Sequence, residues 1–331
     1  MKISDMNDVI QFSKNSGKAA VLVGPPGVGK TEGIKSAGEK MSLPVVIEAL
    51  STLDPIDLRG ILVDRNGEVD WVLPAKIKKN LIDRPGIFFL DELSQCSPAV
   101  LTVALQILAE RRIGGVDLHQ ETIVLGAMNP VEEGGTFDLP SLIVNRVALF
   151  NVNPDLDAYL KYETSRGVGE KGAVVLGFLK RNPGLLYTPP KTEGRAFPTP
   201  RSWSGVIRAL DNEAPLLEEG IIGMIGEGAA SSFFTFRRNL DLPTLEDVLG
   251  GKWEPTSDRV DVAFVVASML ESEGKKKGGK NRPKVWEAVR RMANATGMAD
   301  VAMTVTQSLV RAGVDAPDDL YQKAAAMIME A

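Results

Sequence analysis

Cysteine and histidine are nearly missing from this chain: Cys96 and His119 are the sole representatives of their types among 331 residues. A single cysteine excludes an intrachain disulfide, and neither a zinc site nor a histidine-based triad can be assembled from what remains. Metal chemistry is thereby limited to an oxygen-ligated ion such as magnesium. Cys96 reads as a small residue at a helix start, with a redox-sensitive thiol as the alternative. Long apolar runs are lacking too. The longest, Val260 to Leu270, is too short to span a bilayer and contains Asp261. Nor is there an excess of positive charge: the formal net charge of −5 argues against a surface built for nucleic acid, although a local patch can exist on an acidic chain. The start Met1-Lys2-Ile3-Ser4-Asp5 lacks the apolar core of a signal peptide, so a cytosolic protein in a reducing interior, with no membrane partner, is expected. The apolar share of 44% and charged share of 24% are those of an ordinary globular protein. Its length suffices for about two domains, at roughly 150 residues each.

The most demanding pattern present is Gly24-Pro25-Pro26-Gly27-Val28-Gly29-Lys30-Thr31, which follows the apolar run Ala19 to Val23 and precedes a helix-like stretch from Glu32. Each fixed position of G-x-x-x-x-G-K-[ST] answers a need of a phosphate chain bound at a strand-to-helix turn. Glycines let the backbone turn tightly and approach the oxygens, and successive N–H groups converge on them at the positive end of the helix. Lys30 then supplies charge for the terminal phosphates, and the Thr31 hydroxyl is a magnesium ligand. A nucleoside triphosphate, ATP with Mg2+, is the expected cofactor.

The first half alternates short apolar strands with helical stretches, the order of an α/β domain with a mostly parallel sheet. Candidate strands are Ala19 to Val23, Val45 to Leu50, Ile87 to Leu90, Thr122 to Ala127 and Val147 to Val152. Between the second and third, Asn66-Gly67 is a hairpin turn signal flanked by Ile61-Leu62-Val63 and Val69 to Val72, so a β-hairpin within Asp57 to Pro74 interrupts the alternation. Beyond Asn153-Pro154 helical signals dominate. The expected division is an ATPase domain at 1–153, a helical lid at 154–250 and a helical extension at 251–331. The lysine-rich stretch Glu273 to Lys284 reads as a mobile basic loop rather than a nucleic-acid footprint, since no aromatic residues interleave with it.

Ile87-Phe88-Phe89-Leu90-Asp91-Glu92 reads as a buried strand ending in two carboxylates, which a parallel sheet would deliver to the ligand crevice at its C-terminal edge. There Asp91 would hold magnesium through its water shell, and Glu92 would orient and deprotonate the attacking water. The strand Thr122 to Ala127 leads to Met128-Asn129-Pro130, where Asn129 is either a water-positioning amide or a turn-forming residue before proline. Trp71 and Arg59 either touch a substrate or pack the hairpin onto its own domain.

The run Asn129-Pro130, Gly135-Thr136-Phe137, Leu139-Pro140 and Asn145-Arg146 resembles the region of MoxR-type AAA+ ATPases that joins the sensor 1 asparagine to the arginine finger. The Gly-Pro-Pro-Gly loop, Asp91-Glu92, Glu110-Arg111-Arg112 after the helix Pro98 to Ala109, and Thr199-Pro200-Arg201 match in the same order, so the resemblance covers residues 1 to about 210. The hairpin is similar to the helix-2 insert of that branch. The resemblance implies a P-loop AAA+ domain with a parallel five-stranded sheet, an α-helical lid and C-terminal helices. It further implies that Arg146 reaches the ATP of a neighbouring subunit and that Arg201 contacts the γ-phosphate from its own. Arg111 and Arg112 stand as further candidates for the finger. The sequence departs from the family in Asn145-Arg146-Val147, where Asp-Arg-Phe is usual, and in Ser94-Gln95 after Glu92.

A ring of six subunits is implied, together with a protein client and a von Willebrand factor A domain partner. The expected function is an ATP-hydrolysing, ring-forming ATPase that remodels, activates or assembles a protein client. The alternative is a nucleic-acid motor, which stimulation of turnover by DNA or RNA would favour. A binding switch without hydrolysis would need neither Glu92 nor Arg146.

Overall fold

Ile87, Phe88, Phe89 and Leu90 are all fully buried, and so is every residue from Ile123 to Met128. A strand buried on both faces loses the polar alternation of a half-exposed one, which is why these segments read as unbroken apolar runs. The structure is a computed structural model that describes residues 1–131, 135, 139–189 and 195–329. The strands are β1 (Ala20–Val23), β2 (Val45–Ala49), β3 (Ile61–Arg65), β4 (Glu68–Val72), β5 (Ile87–Asp91), β6 (Arg112–Ile113), β7 (Val116–Asp117), β8 (Ile123–Met128) and β9 (Ala148–Asn151). Five of them form one parallel sheet in the order β2-β5-β8-β1-β9.

Because every pairing in that sheet is parallel, all five C-terminal ends emerge along one edge. The register aligns Val23 with Met128 and Ala49 with Asp91, so the segments after β1, β2, β5 and β8 start side by side. Helices Met6–Ser16, Lys30–Lys40 and Pro98–Glu110 accompany the sheet. The last of these is started by Ser97, whose hydroxyl accepts the Val100 N–H, and by Pro98 at its first position.

Two small antiparallel hairpins interrupt the alternation. One pairs β3 with β4 around Asn66 and Gly67, both at positive φ, at the position of the turn signal. The other pairs β6 with β7.

The chain divides into two compact units, Met1–Asp155 and Leu156–Ala331. The second is helical. Its hydrophobic core includes Trp203, Phe178 and Phe233, with ring centroids 5.4 to 5.9 Å apart, and helices from both sides of residue 250 contribute to it. The indole N–H of Trp203 donates to the Leu185 carbonyl at 2.7 Å, so this large side chain is buried without a stranded donor.

The loop expected at 273–284 is shorter, residues 275–281, and several of its residues are tied to the helix before it. One helix runs on to Gly274 and the next begins at Arg282, while Lys275 pairs with Glu271, and Glu273 holds both Lys276 and Asn281. Among the described residues, no helix is long and apolar enough to cross a membrane.

Candidate active site

The Gly24–Gly29 turn leaves β1 with the Gly24 N–H donating to the Met128 carbonyl at 3.2 Å, which fastens it to the end of β8. Gly27 and Gly29 take φ values of 75° and 99°, a region that side chains other than glycine rarely occupy, so the loop can fold back over the start of the Lys30–Lys40 helix. Lys30 is buried there. Its ammonium donates to the carbonyls of Gly24 and Pro25 at 2.6 and 3.0 Å, and to Asn129 Oδ1 at 3.0 Å. Phosphate oxygens would compete for the same ammonium as stronger, charged acceptors. Pro26 and Val28 complete the loop, Val28 being buried. Glu32 lies on the exposed side of the first helical turn, where its carboxylate meets Lys35 at 2.8 Å.

Thr31 and Asp91 come together: the hydroxyl donates to Asp91 Oδ2 at 2.6 Å. The other Asp91 oxygen accepts the N–H of Glu92 at 2.9 Å. Among the described residues no group of three or more His, Cys, Asp or Glu could hold a metal by itself. A hydroxyl and a carboxylate side by side still fit magnesium, which binds through one or two protein oxygens and completes its shell with water and substrate phosphates.

Glu92 takes the left-handed conformation, φ 60° and ψ 37°, which turns its side chain away from the path of β5. Its carboxylate accepts a hydrogen bond from the hydroxyl of Ser51, in the turn Leu50–Thr52 that follows β2. Ser51 is a residue the sequence reading missed. The only signal was a hydroxyl just past a strand end, and its meaning depends on β2 lying next to β5.

Asn129 follows β8. Its side-chain oxygen meets Lys30 and its backbone N–H donates to Ser94 Oγ at 3.2 Å. Ser94, a departure from the family pattern, is fully buried and ties the turn after Glu92 to the end of β8.

The arginines separate clearly. Arg111 is turned into the protein, where its guanidinium donates to the carbonyls of Gln120 and Thr122, and burial pushes its pKa down. Arg112 pairs with Asp117 at 2.8 Å and donates to the Gly115 carbonyl at 3.0 Å. Arg111 is thus removed from the candidates for an arginine finger, and Arg112 is engaged in its own hairpin. Arg146, just after the helix Ser141–Val144, is exposed and forms no ion pair among the described residues. Arg201 is exposed in the first turn of the helix Pro200–Asp211, which Thr199 caps through the Ser202 N–H; it belongs to the second unit. Thr136 and Phe137 of the motif between Asn129 and Arg146 lie outside the described residues. The Cys96 thiol donates to the Leu93 carbonyl at 3.3 Å, and burial raises its pKa, the opposite of an activated thiolate.

The structure therefore brings Lys30, Thr31, Asp91, Glu92 and Asn129 to one sheet edge, with Ser51 and Ser94 beside them. No curated protein matches the chain significantly. Among solved structures, a point mutant of RuvB from Thermotoga maritima is 15% identical, with 86% of each chain covered and a TM-score of 0.41. NtrX from Brucella abortus, in complex with ADP, is 16% identical, with 94% of this chain and 68% of that chain covered and a TM-score of 0.36. Likenesses at this level carry no functional argument. Residues 19–147, which hold four of the five sheet strands and the assembled site, match the family described as AAA domain (dynein-related subfamily).

Proposed function

We propose that this chain is an ATP-hydrolysing, ring-forming AAA+ ATPase of the MoxR type, which uses turnover to remodel, activate or assemble a protein client. The observation that carries the reading is the meeting of Lys30, Thr31, Asp91 and Asn129 within hydrogen-bond range at the strand ends, with Glu92 one residue beyond Asp91. A nucleotide-binding module needs the first three. Hydrolysis needs Glu92 as well.

In this reading the N–H groups of Gly27, Gly29 and Lys30 surround the phosphates, and the Lys30 ammonium turns from its carbonyl acceptors to the β- and γ-oxygens. Thr31 and Asp91 would hold Mg2+, which supplies charge neutralisation on those oxygens when bound. Asn129 orients the attacking water from its place beside Lys30. Glu92 accepts the proton of that water while its oxygen bonds to the γ-phosphorus and the bond to the β–γ bridging oxygen breaks, leaving ADP. To do this the Glu92 carboxylate must release the Ser51 hydroxyl. Arg146 is assigned to the pocket of the adjacent subunit because it is exposed and has no carboxylate partner among the described residues, and Arg201 is assigned to its own subunit's nucleotide. A hexamer with a von Willebrand factor A domain partner is the assembly this reading expects.

Glu92→Gln tests it. ATP should still bind, turnover should drop by about a hundredfold or more, and a protein client should co-purify with the ATP-loaded variant. Unchanged hydrolysis sinks the role of Glu92. Retention of nucleic acid in place of protein sinks the client reading.

A further inference from the structure

Hairpins β3–β4 and β6–β7 meet beside the helix Pro98–Glu110, and the cleft at their junction is not used by the nucleotide site. Its floor is the Trp71 ring lying on the backbone of Gly114 and Gly115. A Cβ added at Gly114 would stand 2.8 Å from the indole and 2.7 Å from the Arg59 carbonyl, and Gly114 also holds φ at 57°, so glycine is what lets the hairpins close on each other. The Arg59 guanidinium lies 5.9 Å from the centre of the Trp71 ring. Arg112 stands on the other hairpin, and Gln106 contributes from the helix.

The cleft has a volume of about 240 Å³, below the range of about 300–1,000 Å³ typical of small-molecule pockets, and it suits a side chain inserted from another polypeptide. Its electrostatics choose the type of side chain. Arg59 is exposed and forms no ion pair among the described residues. Among the described residues Arg112 has one ion-pair partner, Asp117, a carboxylate with 77% of its side chain in water, in an exposed pair of the kind that a better-placed carboxylate readily displaces. Two guanidiniums beside an aromatic floor match a carboxylate, with its two oxygens presented to a planar fork of donors.

The surface continues in an apolar strip. Leu62 pairs across the hairpin with Trp71, and Val69 pairs with Asp64 two residues on, so Leu62, Asp64, Val69 and Trp71 share one face, the Asp64 carboxylate being engaged by the Gly67 N–H at 2.7 Å. Leu62 is 56% exposed and Val69 67%.

We propose that this cleft docks an acidic segment of the protein client, one carboxylate entering beside Arg59 and Arg112 over the Trp71 ring and neighbouring apolar side chains lying on Leu62 and Val69. The identity of the partner as a client rests on the remodelling reading above, but the docking is measured without nucleotide, so its failure leaves the Glu92 experiment untouched. A phosphate backbone would also meet the arginines. It would gain nothing from exposed leucine and valine.

The test is fluorescence anisotropy of the full chain with a labelled octapeptide of alternating Glu and Leu. That peptide should bind at least about tenfold more tightly than its Gln-Leu counterpart. Combining Arg59→Glu with Arg112→Glu should abolish the preference and confer binding of a Lys-Leu peptide, an inversion that a merely structural role for the arginines would not produce. Unaltered thermal melting and circular dichroism of the double variant certify its fold; should it fail to fold, Arg59→Gln with Arg112→Gln carries the same comparison, with loss of the preference as the expected result. Equal binding of the Glu and Gln peptides, an unchanged preference in the variants, or preference for a single-stranded oligonucleotide over the acidic peptide overturns the proposal.

Discussion

Replacing Ser51 by alanine should make the enzyme faster when no partner is present. The Ser51 hydroxyl donates to the carboxylate of Glu92, the group assigned to accept the water proton, and so occupies that carboxylate on the β2 side of the site. Turnover then includes the cost of exchanging this hydrogen bond for one to water. Bonds to charged groups contribute about 1.5–3 kcal/mol in shielded settings. Ser51 is exposed, which moves the figure to the low end, about 1–1.5 kcal/mol. With a tenfold change per about 1.4 kcal/mol, Ser51→Ala should raise basal kcat roughly five- to tenfold. KM for ATP should change by less than about twofold, because the hydroxyl touches neither Lys30 nor Thr31 and a group acting only on the chemical step leaves ground-state binding alone. Ser51→Thr retains a hydroxyl and should behave like the wild type. Steady-state phosphate release over an ATP titration reads both parameters. A fall in kcat for the alanine variant, with the threonine variant unaffected, would mean that Ser51 aims Glu92 at the water, and its assignment as a restraint on the base would be wrong in sign.

Asn129→Ala should lower kcat by about a hundredfold, the usual effect of removing one aligned polar group, while ATP affinity changes by less than about threefold; an equal loss of affinity in calorimetry would reduce Asn129 to a holder of Lys30. Arg146→Ala subunits mixed with wild type should depress turnover more than in proportion to their share, because each spoils a neighbour's site, whereas Arg201→Ala should dilute activity linearly; linear dilution by Arg146→Ala refutes a finger acting between subunits. Arg290 hydrogen-bonds Asp319 at 2.8 and 3.0 Å and holds its carboxyl below the ordinary value. A carboxylate depressed in the folded state stabilises fully above its unfolded value and loses that contribution as pH falls through the folded one. Asp319→Asn should therefore lower Tm near about pH 7 and leave it unchanged near about pH 2, and a deficit that persists in acid would place the effect in packing.

The strands and the phosphate loop were legible because each is governed by local chemistry. Burial on both faces demands apolar runs, and a phosphate turn demands glycine, lysine and threonine in fixed places. Lateral neighbours were not. Nothing in the run Val45 to Ser51 says that its end abuts Asp91; that follows from the order β2-β5-β8, which the chain does not write locally. Ser51 and Ser94 were missed for this reason. Arg111 and Arg112 show the same limit from another side, since adjacent identical residues diverged once Arg111 took φ 57° at the helix end and its guanidinium met the carbonyls before β8. The basic stretch is different, for its tethers were readable: Glu271 and Lys275 stand four apart, the spacing at which opposite charges meet on a helix.

The same lateral order sets the neighbours of the proposed base. In a parallel sheet the carboxylates after β5 have two neighbours, β8 on one side and β2 on the other. On the β8 side Asn129 reaches Lys30, so in the proposed site that neighbour would lie next to the phosphates. On the β2 side Ser51 reaches Glu92, and a short way along the chain the short helix Pro55–Arg59 ends at Arg59, which lines the cleft assigned to the client, and leads into the β3–β4 hairpin. A pull on that hairpin has a short covalent route to the hydroxyl that holds the base. Client docking and release of Glu92 are coupled if, and only if, the acidic peptide raises kcat in the wild type and fails to raise it further in Ser51→Ala, where the restraint is already gone. Equal stimulation of both would show that the two neighbours of β5 act independently.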